Sequence, residues 1–173
     1  MTARILCRII LVRHGQTEWN RIERFRGQAD ISLNEFGFQQ AAATAVRIAR
    51  EWQPSGVYSS PLSRAVKTAE AVAHHFNLPV QICPGLNDIN YGKWQGLTPD
   101  EVMQQWPQEY HAWIHAPHTA RIPGGESLDH LRQRVMDTVH QLAQRHLDET
   151  IVLVGHTVIN RVILLGVLVH CPG

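Results

Sequence analysis

An arginine and a histidine stand side by side near the start of the chain, directly after a short apolar run. Arg13 and His14 follow residues 9–12, whose β-branched and apolar side chains are typical of a strand covered on both faces. Arginine offers a charged planar fork that matches phosphate oxygens, and a neutral imidazole can attack phosphorus and carry the phosphoryl group. Gly15 allows the backbone to approach a ligand closely. This segment predicts a site for phosphoryl transfer.

A second histidine, late in the chain, repeats the pattern. His156 follows Gly155 and the apolar residues 151–154. In open α/β sheets, ligands bind in the crevice beyond the carboxyl ends of the strands. If the two strands are parallel neighbours, both imidazoles lie at one sheet edge despite the 142 positions between them (156 minus 14). Spacing alone does not show that the strands are neighbours.

These motifs resemble the signature of the histidine phosphatase superfamily, also called phosphoglycerate mutase-like. The matching residues occur in the family's order: Arg13, His14, Gly15, Thr17, Asn20, Arg64 and His156. Arg64 belongs to residues 57–65, which resemble the family's segment of a strand followed by a helix that begins near an arginine. The resemblance runs from about residue 8 to residue 165 and implies that the strands before His14 and His156 are adjacent and parallel.

The resemblance also implies a role for each of these side chains. His14 is the expected nucleophile, and His156 is expected to donate hydrogen bonds to the equatorial phosphoryl oxygens in the transition state. Arg13 and Arg64 are expected to clamp the same oxygens. The further substrate-binding candidates are Asn20, Gln28 and Thr157, the last through its backbone N–H. Neither a metal nor another cofactor is expected.

Asp88 is the candidate proton donor. A leaving alkoxide needs a proton, and a carboxylic acid near the pocket is the usual donor. Residues 85–96 resemble the corresponding family segment, although most members carry glutamate where this chain has Asp88. Because aspartate is one methylene shorter, its backbone must lie slightly closer to the oxygen that it protonates.

The fate of the phosphoryl group separates two enzyme classes: transfer to water defines a phosphatase, and return to a bound acid defines a mutase. In cofactor-dependent phosphoglycerate mutases an arginine and a histidine follow the acidic residue, whereas Ile89 and Asn90 occupy those places here. The mutases also carry a longer insertion with adjacent arginines before the segment resembling residues 123–127, where this chain offers only Arg121. The pattern favours a phosphatase.

We therefore predict a metal-independent phosphatase that hydrolyses phosphomonoesters of small metabolites through a phosphohistidine on His14. The alternatives are a cofactor-dependent phosphoglycerate mutase and a non-catalytic phosphate-sensing or protein-binding module. Enzymes that this chain resembles act on phosphoserine, α-ribazole phosphate and sugar phosphates, and the sequence does not choose among these substrates.

The elements that must position these residues alternate between strands and helices. Strands are predicted at residues 9–12, from Val57, at 80–82 and at 151–154, and helices around 41–49, 60–75, from 98 to before Pro107, 127–146 and 158–168. This alternation predicts an α/β fold, a three-layer sandwich with a mostly parallel central sheet and helices on both faces.

The start of the second long helix bears directly on the site. Ser60 is predicted as its N-cap and Pro61 as its first residue, which places Arg64 in the first turn. Unpaired N–H groups and the positive end of the helix dipole favour a phosphate at that position.

Two histidines at i and i+4, His111 and His115, could share one helical face as metal ligands. The segment lacks the glutamate of a His-Glu-x-x-His motif and any nearby carboxylate or cysteine ligand. We therefore interpret it as a rim over the pocket, to which Trp106 and Trp113 contribute apolar walls.

Composition limits the partners and the location. The 173 residues are 44% hydrophobic and 18% charged, which is typical of one globular domain, predicted here over residues 1–173. A net charge of +1 argues against nucleic acid and anionic membranes as partners, and no apolar run reaches the roughly 18 residues of a membrane helix. A small phosphorylated metabolite is the predicted partner, and a homodimer remains open.

The cysteines predict a reducing compartment. Cys7, Cys83 and Cys171 are odd in number, and no cationic-then-apolar leader opens the chain, so a cytoplasmic location is predicted. Relatives often continue further after the last helix, which leaves open whether the native chain extends beyond Gly173.

Overall fold

One parallel sheet forms the centre of the molecule. The computed structural model describes residues 6–169, so Cys171 and Gly173 lie outside it. The strands are β1 (Arg8–Arg13), β2 (Gly56–Ser59), β3 (Val80–Ile82) and β4 (Thr150–Gly155). Their order across the sheet is β1-β4-β2-β3, and every pairing is parallel. The last strand along the described chain, β4, therefore lies between β1 and β2.

Seven α-helices accompany the strands in the described residues. They are α1 (Glu18–Arg21), α2 (Glu35–Glu51), α3 (Ser63–His74), α4 (Pro99–Gln105), α5 (Pro107–His115), α6 (Leu128–Arg145) and α7 (Thr157–Val169). Short 3₁₀ turns span Pro84–Leu86 and Gly92–Trp94.

Two hydrophobic clusters cover the two faces of the sheet. Side chains of α2 and α3 pack on one face, together with Val12, Val152 and Val154. Side chains of α6 and α7 pack on the other, together with Ile151 and Leu153. This arrangement confirms the predicted three-layer α/β sandwich. None of the helices described for residues 6–169 is long and apolar enough to cross a membrane.

Local sequence signals account for most helix boundaries. The Thr98 side chain accepts a hydrogen bond from the Glu101 N–H while the Glu101 carboxylate accepts one from the Thr98 N–H, so α4 begins with a capping box. Asn34 and Ser127 each cap a helix, α2 and α6, through one side-chain oxygen. The buried residues of α6 recur every three or four positions: Leu131, Val135, Val139 and Leu142.

The predicted N-cap of α3 is wrong. The helix begins at Ser63 rather than after Ser60, and Leu62 precedes it without a side-chain cap. The Ser60 hydroxyl is fully buried and contacts His156 instead, while the Ser63 N–H donates to the carboxylate of Asp30 at 2.8 Å. Ser60, which the local pattern predicts as the helix cap, thus makes a tertiary contact with His156 instead.

The loop after β1 lies tightly against α2. A Cβ atom on Gly15 would lie 2.3 Å from the carbonyl oxygen of Gly37, and one on Gly37 would lie 2.1 Å from that of Gln16. Since real Cβ atoms do not approach backbone this closely, both positions require glycine. This contact fixes the backbone that follows His14.

Candidate active site

The two predicted histidines lie next to each other at the carboxyl edge of the sheet. β1 and β4 pair in a register that sets Arg13 opposite Gly155, so the following residues, His14 and His156, are neighbours. Their ring centroids are 5.2 Å apart and the rings are tilted by 55°. Both side chains are buried. The predicted adjacency of the two strands is confirmed.

His14 has the protonation state that a nucleophile needs. Its Nδ1 lies 2.6 Å from the carbonyl oxygen of Gly15. Because a carbonyl only accepts hydrogen bonds, Nδ1 carries the proton and Nε2 keeps a free lone pair. Burial, followed by the positive charge of Arg64, lowers the pKa of His14 to about 3. The imidazole is therefore neutral at physiological pH.

The tautomer of His156 follows from Ser60. The Ser60 hydroxyl oxygen accepts a hydrogen bond from the Leu62 N–H at 3.3 Å and lies 2.8 Å from His156 Nε2. The hydroxyl could donate to Nε2 or accept from it, but the carboxylate of Asp88 beside Nδ1 only accepts, so we assign the imidazole proton to Nδ1 and the hydroxyl proton to the bond with Nε2. That Nδ1 lies 3.4 Å from Oδ2 of Asp88, and burial lowers the pKa of His156 well below its usual value. His156 is thus a neutral hydrogen-bond donor.

Asp88 is buried between charged and polar partners. Its Oδ1 accepts the Ile89 N–H at 2.9 Å, and its Oδ2 lies 3.3 Å from a terminal nitrogen of Arg64. These contacts favour the carboxylate, but burial outweighs them and raises the pKa of Asp88 to about 6. A carboxyl group with this pKa exchanges a proton readily near neutral pH, which suits a general acid.

Arg64 lies behind the histidines in the first turn of α3, as predicted, and is fully buried. Its terminal nitrogens donate to the carbonyl oxygens of Ala29 and Gly27, both at 2.7 Å, and one of them also contacts Asp88. Among the described residues, its Nε is buried without a hydrogen-bond partner. Arg64 therefore fixes the loop at residues 27–29 and keeps one donor unpaired, and its charge is close enough to both histidines to lower their pKa values.

Two cavities flank His14, and Arg13, His14 and Asn20 line both of them. The first, of about 420 Å³, also contains Asp88 and Thr157 in its wall, whereas the second, of about 600 Å³, is lined by residues of the loop after β1, of α2 and of α3. Since the candidate acid opens only into the first cavity, we expect the leaving group of a substrate there.

Of the predicted substrate-binding residues, Asn20 lines both cavities and Gln28 lines neither. The side-chain oxygen of Asn20 accepts hydrogen bonds from the N–H and hydroxyl of Thr17, at 2.9 and 2.8 Å, which leaves its amide nitrogen to contact a ligand. Gln28 is exposed and does not line either cavity described above. Its amide donates to the main-chain carbonyl of Asp88 at 3.1 Å, so its observed contact positions the acid.

Sequence reasoning missed a clamp that holds the Asp88 segment. Arg134, on α6, donates to the carbonyl oxygens of Gly85, Asn87 and Asp88 at 2.9–3.1 Å. The same guanidinium forms a two-point ion pair with Glu126 at 2.8 and 2.9 Å. No local pattern marks Arg134, because it looks like an ordinary polar residue on the outer face of a helix.

Sequence reasoning also missed the arginines around the first cavity. Arg24, Arg26 and Arg161 line it together with the predicted Arg13. Trp113 contributes an apolar wall, as predicted, but Trp106 does not line this cavity and instead packs against the larger hydrophobic cluster.

The histidine pair on α5 does not develop into a metal site. The rings of His111 and His115 are exposed and their centroids are 4.3 Å apart. Across the part of the chain that the structure describes, no three His, Cys, Asp or Glu side chains gather as metal ligands.

We predict that Ser60→Ala lowers kcat about ten-fold, because His156 then loses the partner that holds its proton on Nδ1. Ser59→Ala is the matched control, since the neighbouring Ser59 is equally buried but bonds the main-chain carbonyl of Ser60. Steady-state kinetics and ¹⁵N NMR shifts of His156 would test this. Equal losses in both variants, with an unchanged tautomer, would contradict it.

Comparison with known proteins places these features in a family. Residues 9–172 match the family model described as histidine phosphatase superfamily (branch 1). Phosphoserine phosphatase 1 of Hydrogenobacter thermophilus is 38% identical over 165 residues, which cover 94% of this chain and 78% of that protein. A metal-independent phosphoserine phosphatase of Arabidopsis thaliana is 40% identical over 161 residues, covering 92% of this chain and 68% of that one.

A solved structure is similar over nearly the same range. The crystal structure of a phosphoserine phosphatase from Entamoeba histolytica, in complex with 3-phosphoglyceric acid, matches with a TM-score of 0.83 at 30% sequence identity. The match covers 94% of this chain and 80% of that one.

Proposed function

Because the chain belongs to the histidine phosphatase superfamily (branch 1), as its motifs predict, we propose that it is a metal-independent phosphatase. It hydrolyses phosphomonoesters of small metabolites through a phosphohistidine on His14. The observation that carries this proposal is the neutral His14, whose Nε2 lone pair is free, beside a second neutral histidine and a carboxyl group with a pKa of about 6.

Unpaired donors at the site support an oxygen-rich ligand. Within the described residues, five buried side-chain polar atoms lack a hydrogen-bond partner, and two of them, Arg64 Nε and His156 Nδ1, belong to groups that hold the phosphoryl oxygens in this proposal. Both atoms are donors, since arginine is always protonated and the His156 proton is on Nδ1. Buried donors without acceptors are costly unless a ligand supplies the acceptors, and a phosphate carries several.

The proposed first step forms a phosphohistidine. Nε2 of His14 attacks phosphorus as the bond to the leaving oxygen breaks, and Asp88 donates its proton to that oxygen so that the alcohol leaves neutral. Arg13, Arg64 and Nδ1 of His156 hold the equatorial oxygens, where the charge is spread in the transition state.

The proposed second step regenerates the enzyme. The Asp88 carboxylate takes a proton from a water molecule, and the water oxygen attacks phosphorus as the bond to His14 Nε2 breaks. Inorganic phosphate and neutral His14 result, and Asp88 is protonated again. Asn20 and the backbone N–H of Thr157 are the further phosphate contacts in this proposal, and Gln28 acts through the main chain of Asp88.

The test is hydrolysis of p-nitrophenyl phosphate and a panel of small phosphomonoesters in the presence of EDTA, with acid-labile phosphoenzyme trapped in parallel. We expect phosphate release that EDTA does not reduce and a phosphoenzyme that decays by hydrolysis. Phosphoenzyme formed only from a bisphosphoglycerate, without net release of phosphate, would indicate a mutase. The absence of both phosphate release and phosphoenzyme would indicate a phosphate-binding module and would overturn the proposal.

Three further features remain predictions: a cytoplasmic location, a single domain over residues 1–173, and a homodimer. Fractionation of the source cells would test the location, limited proteolysis the single domain, and sedimentation equilibrium the homodimer.

A further inference from the structure

The first cavity has more positive charge than a phosphate site needs. Arg13, Arg24, Arg26 and Arg161 line it, against the acidic residues Glu23 and Asp88. A phosphomonoester carries up to about two negative charges near neutral pH. Arg13 and Arg64 already provide two positive charges for that group in the proposed mechanism. The remaining arginines therefore need a separate explanation.

Arg24 has a structural explanation. Its guanidinium donates to the carbonyl oxygen of Gly96 and lies 3.5 Å from the carboxylate of Glu101. These contacts tie the loop after α1 to the start of α4. Arg24 is thus already paired within the protein.

Arg26 and Arg161 have no such pairing. Among residues 6–169, Arg26 donates only to the main-chain carbonyl oxygens of Trp19 and Arg24, at 3.4 and 3.3 Å, and its Nε has no hydrogen-bond partner. In the described part of the chain, neither Arg26 nor Arg161 forms an ion pair with a carboxylate. Burial lowers the pKa of Arg26, which shows that its charge is held at some cost.

The position of Arg26 relates it to the leaving group. The charge of Arg26 is close enough to Asp88 and His156 to lower the pKa of each. The charges of Arg26 and Arg161 also lower the pKa of Tyr91, against the larger effect of burial. Asp88 marks where the leaving oxygen lies, because it supplies that oxygen's proton in the proposed mechanism. Arg26 therefore faces the part of the substrate that departs.

We infer that Arg26, with Arg161 at the rim, binds a carboxylate on the alcohol portion of the substrate, so that the natural substrate is a small phosphorylated hydroxy acid or amino acid. This inference rests on the proposed function and narrows its substrate class. A guanidinium matches a carboxylate through two parallel N–H···O bonds, and such charge-assisted bonds are stronger than neutral ones. A cavity of about 420 Å³ has room for a compact substrate of this kind.

Ile89, the residue after Asp88, is fully buried in the hydrophobic core and does not line the first cavity. Arg26, on the loop after α1, is part of the wall of that cavity.

Matched substrates test the inference. 3-Phosphoglycerate and glycerol 3-phosphate differ only in a carboxylate against a hydroxymethyl group, and phosphoserine and phosphoethanolamine differ only in the carboxylate. For the wild-type protein we expect kcat/KM to be at least about ten-fold higher for the carboxylate member of each pair. Arg26→Gln is expected to bring the ratio within each pair close to one, and Arg26→Lys to restore part of it.

Arg24→Gln is the matched control, because it removes an arginine from the same cavity that is already paired. We expect this variant to keep the wild-type ratio. A wild-type ratio near one, or equal losses for both members of a pair in Arg26→Gln, would overturn the inference. The second result would mean that Arg26 binds the phosphoryl group itself.

The same experiment separates this inference from the proposed function. If the wild-type protein hydrolyses p-nitrophenyl phosphate but shows no preference for carboxylates, the proposed function stands and the inference fails. If it hydrolyses no phosphomonoester in the panel, both fail.

Discussion

Replacing His14 by alanine is expected to lower kcat by at least about 10³-fold and to remove the acid-labile phosphoenzyme. The reason is that the other histidine at the site has no free lone pair to offer to phosphorus. Nδ1 of His14 is occupied by the carbonyl of Gly15, so attack depends on Nε2 alone. His156 cannot substitute, because its Nε2 faces Ser60 and its Nδ1 carries the proton.

Rapid-quench kinetics with a ³²P-labelled substrate would measure both effects. His14→Gln keeps most of the side-chain volume and separates loss of chemistry from loss of packing, and circular dichroism would verify the fold of both variants. His74→Ala, at the exposed end of α3, is the control for an unrelated histidine. A His14 variant that is folded and keeps more than a tenth of the activity would rule out the proposed nucleophile.

Asp88→Asn is expected to lower kcat for alkyl phosphomonoesters by about 10²- to 10³-fold. The amide keeps the shape of the side chain but has no proton to give to the leaving oxygen. p-Nitrophenolate leaves without protonation, so its ester should lose less than about ten-fold. Because Arg13, Arg64 and the histidines remain, we expect the inhibition constant of inorganic phosphate to change little.

The pH dependence gives a second measure of the same group. A general acid acts in its protonated form, and burial raises the pKa of Asp88 to about 6. For alkyl substrates, kcat/KM should therefore fall as pH rises through about 6, and this alkaline limb should be absent in Asp88→Asn. Titration of the substrate phosphate occurs equally with both proteins and cancels in their ratio.

Asp88→Glu provides a sharper control, because glutamate is the usual residue at this place in the family. We expect it to keep activity within about ten-fold of the wild type. Loss of phosphate binding together with turnover in Asp88→Asn would instead point to a structural role through the contact with Arg64.

Local patterns were sufficient to predict most elements of the fold. The capping box at Thr98, the apolar spacing in α6 and the buried run of β4 each depend on residues a few positions apart. Ser60 shows where this reasoning fails. As a residue before a proline it reads as a helix cap, but its partner is His156, 96 positions away.

Part of the candidate site could also be predicted from the sequence. Arg13, His14 and His156 belong to short motifs at strand ends, and the family resemblance supplied Arg64 and Asp88. The groups that hold and surround them were not predictable. Arg134 reaches the Asp88 segment across 46 to 49 positions, and Arg26 becomes part of the cavity wall only when the loop after α1 pairs with residues 96 and 97. Contacts between residues so far apart in the chain produce no recognisable sequence pattern.

The central position of β4 has a consequence for how the molecule folds. Until residues 150–155 have been synthesised, β1 lacks the strand that pairs with it and β2 can pair only on the side of β3, so the backbone N–H and C=O groups along their open edges remain available to other chains. Pairing over such long sequence separations is slow, and partly folded chains with open strand edges aggregate readily. We therefore expect nascent chains that end before β4 to need chaperones, and refolding yields to fall steeply as protein concentration rises.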